Sequence, residues 1–132
     1  MNQTDVMGGL WYTEEHEWVR IEDDTAVIGI TDYAQKEMKE IVFVELPKVG
    51  DKLVLGEDFG FAESAKAVNG LFAPLSSEVI EINTELEDSP ELVNTDPYGE
   101  GWMIKIKISS QDKLSQLLDA DSYSALLETL EE

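Results

Sequence analysis

Near the end of the chain stands Trp102-Met103-Ile104-Lys105-Ile106-Lys107-Ile108. Successive side chains of a β-strand point to opposite faces, so this run predicts a strand with one apolar and one charged face. Trp102, Ile104, Ile106 and Ile108 share the first face, and both lysines lie on the second. We therefore expect this strand to cover a hydrophobic core on one side and to meet water on the other.

Further segments are rich in Val, Ile, Phe and other residues that favour strands. They span residues 18–22, 25–31, 41–46, 52–55, 60–63, 68–72 and 78–82. Short turn signals such as Asp23-Asp24 and Asn69-Gly70 separate them. The gaps are too short for the helical crossovers that parallel strands require. The pattern predicts a mainly β fold, a sandwich or barrel of antiparallel strands.

Two helical pieces interrupt the strands. Thr31 and Asp32 can cap a short helix that continues to Lys39. Near the C-terminus, apolar residues with i, i+3, i+4, i+7 spacing predict a second helix with one stripe on the sheet. That stripe consists of Tyr123, Leu126, Leu127 and Leu130. We expect residues 1–132 to form one domain, with a core at about 25–108 and a C-terminal helical segment at about 112–131.

Residues 83–101 form a long, acidic, proline-containing stretch that we interpret as a loop. A loop of this length in a compact domain is usually functional or disordered. Leu92 and Tyr98 can anchor it, so we expect it to be ordered against the body. Its acids lack the alternate spacing and the central glycine of a calcium-binding EF-hand loop. Its carboxylates therefore indicate a solvated face.

Composition excludes several classes of function. Twenty-nine Asp and Glu against nine Lys and Arg give a net charge of -20, which disfavours nucleic acid and anionic membranes as partners. There is no cysteine, so a thiolate nucleophile and a cysteine zinc site are excluded. No stretch approaches ~20 apolar residues, and the polar start lacks a basic targeting region. These features favour a cytoplasmic protein of the bacterial type.

Lys66 is the only Lys or Arg between Lys52 and Lys105. Small or polar neighbours, Ser64, Ala65 and Ala67, would present it at the tip of a turn. An amine presented in this way is open to a modifying enzyme and has no competing amine nearby. The alternative is an ordinary solubilising lysine on a hairpin.

The sequence gives weaker support for other kinds of catalytic or binding site. Ser64 stands two positions before Lys66, whereas the serine–lysine hydrolase motif needs two intervening residues. His16 is the only histidine, so a zinc site has no second imidazole or thiolate. His16 could simply begin a strand as a polar residue. Alternatively, Glu15 and Glu17 beside it could line a cleft and hold an amine by charge-assisted hydrogen bonds.

Several short motifs occur in a specific order. They are His16-Glu17-Trp18-Val19, Ile28-Gly29-Ile30-Thr31-Asp32-Tyr33-Ala34, Ile41-Val42-Phe43-Val44-Glu45-Leu46-Pro47, Glu63-Ser64-Ala65-Lys66-Ala67, Ser89-Pro90-Glu91-Leu92-Val93-Asn94 and Asp96-Pro97-Tyr98-Gly99-Glu100-Gly101-Trp102. Through them nearly the whole chain resembles the H proteins of the glycine cleavage system, which are lipoyl carriers. The resemblance implies a barrel-sandwich hybrid of two antiparallel sheets, the fold of lipoyl domains.

The resemblance also implies which residues form the lipoyl attachment site. Lys66 would carry lipoate in amide linkage at a hairpin tip, and Glu63, Ser64, Ala65 and Ala67 would form the recognition sequence around it. Glu17 and His16 would contribute to a cleft for the loaded arm. The carrier itself would have no catalytic residue and no metal.

The implied partners act in sequence on the arm. Glycine decarboxylase, a pyridoxal phosphate enzyme, would load the aminomethyl group as carbon dioxide leaves. An aminomethyltransferase would pass the one-carbon unit to tetrahydrofolate, and dihydrolipoyl dehydrogenase would reoxidise the dithiol. Lipoyl-attaching enzymes would modify the lysine beforehand.

The sequence departs from the usual H-protein pattern at four positions. Lys39 and Ser77 occupy places where glycine is common, so a positive φ at either would cause strain. Gly70 replaces a common acidic residue, and Glu15 replaces a smaller one. The last two changes indicate a cleft built differently from that of most members.

Three alternatives remain open from the sequence. A lipoylated paralogue could relay lipoate or serve another oxidative system while keeping Lys66. A biotin carrier usually has methionines beside its lysine, whereas Ala65 and Ala67 flank Lys66 here. A non-covalent interaction module would never modify the lysine.

Overall fold

The computed structural model describes residues 6–108 and 117–130. The described strands form two antiparallel sheets, which confirms the predicted fold class. The strands are β1 (Trp11–Tyr12), β2 (Glu17–Glu22), β3 (Thr25–Ile30), β4 (Ile41–Glu45), β5 (Lys52–Leu53), β6 (Asp58–Ser64), β7 (Val68–Phe72), β8 (Ser77–Ile82) and β9 (Ile104–Ile108). The larger sheet has the order β1-β2-β3-β9-β8-β5, and the smaller has the order β4-β6-β7.

Strand β9 lies between β3 and β8 and shows the predicted alternation. Ile104 and Ile106 are fully buried, Ile108 is nearly so, and Lys107 is exposed. The strand begins at Ile104 and not at Trp102, because the Trp102 amide donates to the carbonyl of Gly99 in a turn. The inclusion of Trp102 in the strand was therefore wrong.

Two groups of buried side chains stabilise the fold. The larger combines residues of both sheets, among them Val19, Ile28, Val44 and Leu71. The smaller lies on the other face of the large sheet, since it contains Trp18, the neighbour of Val19 along β2. Burial of one such aliphatic or aromatic side chain contributes roughly 1.5–3 kcal/mol relative to exposure. Both faces of β2 are consequently covered.

Helix α4 (Ala120–Leu130) closes the smaller group. Tyr123 and Leu127 are fully buried, and the Tyr123 ring stacks on Tyr12 of β1 with centroids 4.5 Å apart. Leu130 is 48% exposed, so the buried stripe of this helix is narrower than predicted. The predicted limits of the segment at about 112 and 131 lie outside the described residues.

The predicted short helix is present as α1 (Asp32–Met38), whose N-cap is Thr31. The Thr31 hydroxyl accepts a hydrogen bond from the Ala34 amide at 3.2 Å, as capping requires. The helix ends at Lys39, which has φ +66° and ψ -152°. This is a region that side chains disfavour, so the expected strain occurs at Lys39. Ser77 is not among the described residues with positive φ.

The predicted loop at 83–101 contains two short helices, α2 (Glu85–Asp88) and α3 (Leu92–Thr95), so the assignment as a loop was incomplete. Its main anchors are Leu86 and Val93, which are almost fully buried. Tyr98 is also buried, as expected, whereas Leu92 is only partly covered. In both helices, backbone amides donate hydrogen bonds to carbonyls three or four residues earlier. Polar backbone groups that are paired in this way can pack against the core.

Candidate functional site

Lys66 lies at the tip of the β6–β7 hairpin, where the sequence placed it. The Ser64 amide donates to the carbonyl of Ala67 at 2.9 Å and closes the turn. Ala65, Lys66 and Ala67 are exposed, whereas Ser64 at the base of the tip is buried. The hairpin therefore presents its amine to solvent above a buried, hydrogen-bonded base.

The rest of the predicted recognition sequence surrounds this tip. Glu63 pairs with Val68 across the hairpin, and the pair is the last one before the turn. The Ser64 hydroxyl points back to the Ala67 carbonyl at 3.5 Å. Glu63, Ser64, Ala65 and Ala67 thus belong to one continuous turn with Lys66.

A groove of about 580 Å³ lies beside the lysine. Its walls are the hairpin tip on one side and the end of α1 with Lys39 and Glu40 on the other. The position of Lys39 is maintained by Asn94 of α3, whose amide donates to the Lys39 carbonyl at 2.8 Å and whose Oδ1 accepts from the Ile41 amide at 2.9 Å. Hydrogen bonds from the Asn94 side chain therefore hold the strained turn at Lys39 in place.

Two further cavities lie between this groove and the predicted cleft residues. One of about 460 Å³ shares Glu37, Met38 and Asn69 with it. This second cavity is also lined by His16 and Gly70. The third, of about 420 Å³, shares Glu15 and Phe72 with the second, and Glu17 lines it. Cavities that share lining residues thus lie in a row from the surroundings of Lys66 to those of Glu17.

Glu17 is only 2% exposed. Its Oε1 accepts a hydrogen bond from the Thr13 hydroxyl at 2.6 Å, and its Oε2 accepts one from the Phe72 amide at 3.2 Å. Burial raises the pKa of Glu17 from 4.5 to about 7, although both hydrogen bonds oppose that change. This carboxyl group therefore changes its charge near neutral pH.

His16 has a positive φ of 73° and packs its ring 4.6 Å from that of Tyr33. Its Nδ1 shares a hydrogen bond of 2.8 Å with the Tyr123 hydroxyl, which also lies 2.7 Å from the Thr31 hydroxyl. Burial lowers the pKa of His16, partly offset by the charges of Glu15 and Glu37. A neutral imidazole at this wall is the consequence.

The sequence did not identify Tyr123 as a site residue. It was assigned only to the apolar stripe of the C-terminal helix. One signal was available, because a buried tyrosine hydroxyl generally requires a hydrogen-bond partner. That partner, His16, is remote along the chain and could not be read from local spacing.

Three of the four departures from the family pattern lie around these cavities. Lys39 lines the groove beside Lys66, Glu15 lines the second and third cavities, and Gly70 lines the second. A Cβ atom at Gly70 would approach the Phe72 ring to 3.3 Å. Ser77 is elsewhere, at the start of β8.

Within residues 6–108 and 117–130, no group of three or more His, Cys, Asp or Glu residues is arranged to hold a metal ion. None of the helices in these ranges is long and apolar enough to cross a membrane.

Comparison with known families decides the relationship. The family model for the glycine cleavage H-protein matches residues 10–130. The chain belongs to this family. An H protein from Carboxydothermus hydrogenoformans is 51% identical over 119 residues, which cover 90% of this chain and 92% of that protein. One from Staphylococcus epidermidis is 54% identical over 116 residues, covering 88% and 92%.

A solved H-protein structure also resembles this one. The crystal structure of a glycine cleavage system H protein from Mycobacterium marinum superposes with a TM-score of 0.87 at 36% identity. The match covers 93% of this chain and 99% of the other. The two-sheet sandwich is therefore the architecture of the H-protein family.

Proposed function

We propose that this chain is the lipoyl carrier of a glycine cleavage system and that Lys66 is its attachment residue. The observation that supports the assignment is the exposed Lys66 amine on a hairpin whose base is buried. Family membership favours glycine cleavage over a lipoyl relay or a biotin carrier. We also propose a single, non-catalytic and cytoplasmic carrier domain that spans residues 1–132.

The residues around Lys66 fit a lipoyl arm. When bound in amide linkage, lipoate would supply a disulfide and dithiol at the end of a flexible tether. Amide formation removes the charge of the lysine, and the adjacent groove offers largely apolar walls to the aliphatic part of the arm. Because there is no cysteine, no protein thiol competes for disulfide exchange.

Glu17 and His16 are proposed as the end of the arm's path. A protonated amine at this place would meet the Glu17 carboxyl group, whose Oε1 accepts from the Thr13 hydroxyl and whose Oε2 accepts from the Phe72 amide. Each carboxylate oxygen has two lone pairs, so a further donor can be accepted. An adjacent cation favours the ionised carboxylate and so opposes the effect of burial on its pKa. Glu15 adds negative charge to the wall of this cavity, and Glu37 adds it to the wall of the neighbouring cavity beside His16. The cavity therefore suits a cationic end group.

The proposed partners are those of the glycine cleavage cycle: glycine decarboxylase, aminomethyltransferase, dihydrolipoyl dehydrogenase and a lipoyl-attaching enzyme. The carrier's benefit is effective concentration, since a tethered intermediate is not diluted between active sites. The net charge of -20 would steer it towards basic docking surfaces.

Intact-protein mass spectrometry tests the assignment. Protein produced in lipoate-competent cells is expected to carry one lipoyl group, which Lys66→Arg abolishes and the matched exposed-lysine variant Lys48→Arg retains. An unmodified wild-type mass would refute the carrier function. Lipoylated protein that supports no glycine–bicarbonate exchange with its own decarboxylase would instead favour the relay.

A further inference from the structure

The outer face of the small sheet carries an apolar surface beside the modified hairpin. Phe43 is 45% exposed and Val68 is 62% exposed. The Phe43 ring packs against the half-buried ring of Phe61, with centroids 5.7 Å apart. We call Phe43, Phe61 and Val68 the outer patch. Large apolar side chains exposed together are typical of interaction surfaces.

Strand register explains why these residues share one face. Phe43 of β4 and Val68 of β7 both pair with Glu63 of β6, from opposite sides. Phe61 pairs with Glu45 on one side and with Gly70 on the other. Gly70 adds no side chain beside the Phe61 ring, which stays half-buried.

The charges in this region restrict the partner. Glu45 and Glu63 lie within the same rows as the outer patch, and Lys66 is the only cation of the hairpin. A partner suited to this face has an apolar centre and a rim of Lys or Arg residues. A second copy of this acidic chain lacks the necessary positive charge.

Distance from the reacting atom favours one class of enzyme. An enzyme that acylates Lys66 must bring its active site to Nζ itself, so the surface next to the hairpin must touch it. Enzymes that act on the dithiol work at the far end of the arm and can dock elsewhere. Val68 lies immediately after the exposed tip and is thus within the area that an acylating enzyme covers.

We propose that the outer patch is the docking surface for the enzyme that attaches lipoate to Lys66. The inference rests on the proposed function and adds the binding surface to it. The patch supplies the buried centre of the interface, and Glu45 and Glu63 pair with basic residues of the enzyme.

Binding without chemistry provides the first test. In a Lys66→Arg background, calorimetric titration with the purified attaching enzyme compares Phe43→Ser, Val68→Ser and the control Val49→Ser. Val49 is 61% exposed and lies in the turn before β5, away from the hairpin. Each patch variant is expected to raise Kd about tenfold, and the control to leave it unchanged. An unchanged Kd in both patch variants would overturn the proposal.

Lipoylation kinetics with Lys66 intact provide the second test, and thermal melts first establish that each variant is folded. The patch variants are expected to raise KM for the unmodified protein about tenfold at constant kcat. Glu45→Gln is expected to raise KM less and to reduce its salt dependence, whereas the distant Glu78→Gln does neither.

The outcomes separate the two proposals. Absence of lipoylation in the wild type refutes the carrier function. Normal lipoylation with equal KM in all variants refutes only the docking surface. Equal KM for lipoylation combined with a raised KM for glycine decarboxylase would assign the patch to that enzyme and overturn the proposed occupant.

Discussion

The hydroxyl of Tyr123 lies 2.8 Å from Nδ1 of His16, across 107 positions of the chain. The same hydroxyl lies 2.7 Å from Oγ1 of Thr31, the N-cap of α1. One side chain of the C-terminal helix therefore connects the proposed cleft with the helix that walls the groove beside Lys66.

Removal of this hydroxyl tests the connection. Tyr123→Phe keeps the ring that stacks on Tyr12 but leaves Nδ1 of His16 and the Thr31 hydroxyl without that partner. We expect the free energy of unfolding to fall by roughly 1–3 kcal/mol in urea titrations. The His16 ring resonances should shift as well, and the exposed control Glu128→Gln should change neither quantity. An unshifted His16 spectrum would argue against the hydrogen bond.

The buried Glu17 predicts a pH-dependent stability. Because its pKa is raised from 4.5 to about 7, the unfolded chain releases this proton at lower pH than the folded protein. The Glu17 contribution is thus complete below pH 4.5 and is lost as pH rises to about 7. Relative to Glu17→Gln, the wild type should lose up to roughly 3 kcal/mol across this interval. Urea titrations at both ends of the interval measure it, and a constant difference between the proteins would contradict the raised pKa.

The proposed contact between Glu17 and the amine leads to a prediction for the lifetime of the loaded arm. If its carboxylate holds the amine, Glu17→Ala should release the aminomethyl group faster than the wild type, because the charge-assisted hydrogen bond is lost. Glu87→Ala, at an exposed position of α2 outside the three cavities, is the acidic control. Mass spectrometry of loaded protein over time gives both rates, and equal lifetimes would remove Glu17 from the site.

Strain at Lys39 predicts a stabilising substitution. Glycine adopts φ +66° and ψ -152° without a Cβ penalty, so Lys39→Gly should raise the free energy of unfolding by about 1 kcal/mol. Lys39→Ala removes the same charge but keeps the Cβ atom, so it should give no comparable gain. Equal stability of the two variants would show that the turn is not strained.

Removal of the Asn94 side chain should have the opposite effect and destabilise the same turn. Its side chain donates to the Lys39 carbonyl and to Oε1 of Gln35, and it accepts from the Ile41 amide. Asn94→Ala should lower the free energy of unfolding by roughly 2–3 kcal/mol, because part-buried polar groups lose their partner. The exposed neighbouring variant Thr95→Val serves as the control. A loss no larger than that of the control would exclude the clamp.

Local pattern was sufficient for the long elements and for the position of Lys66 at a hairpin tip. Alternation in β9 and capping at Thr31 depend on neighbouring residues, and the hairpin around Lys66 has small residues that leave its tip open. The two-residue strand β1 is too short to show a period, and α2 and α3 are single turns within acidic sequence. The pairing of His16 with Tyr123 depends on tertiary packing alone, which a local pattern does not contain.

The order of synthesis gives the Tyr123–His16 contact a further meaning. Both strands of the Lys66 hairpin precede α4 in the chain, so a nascent protein contains this whole hairpin before Tyr123 is added. The hydroxyl that contacts His16 of the proposed cleft is added only afterwards, with the first turn of α4. A chain cut short before α4 would therefore keep Lys66, the proposed attachment residue, and lack the Tyr123 hydroxyl. The proposed attachment site and the proposed shelter of the loaded arm thus depend on different parts of the chain.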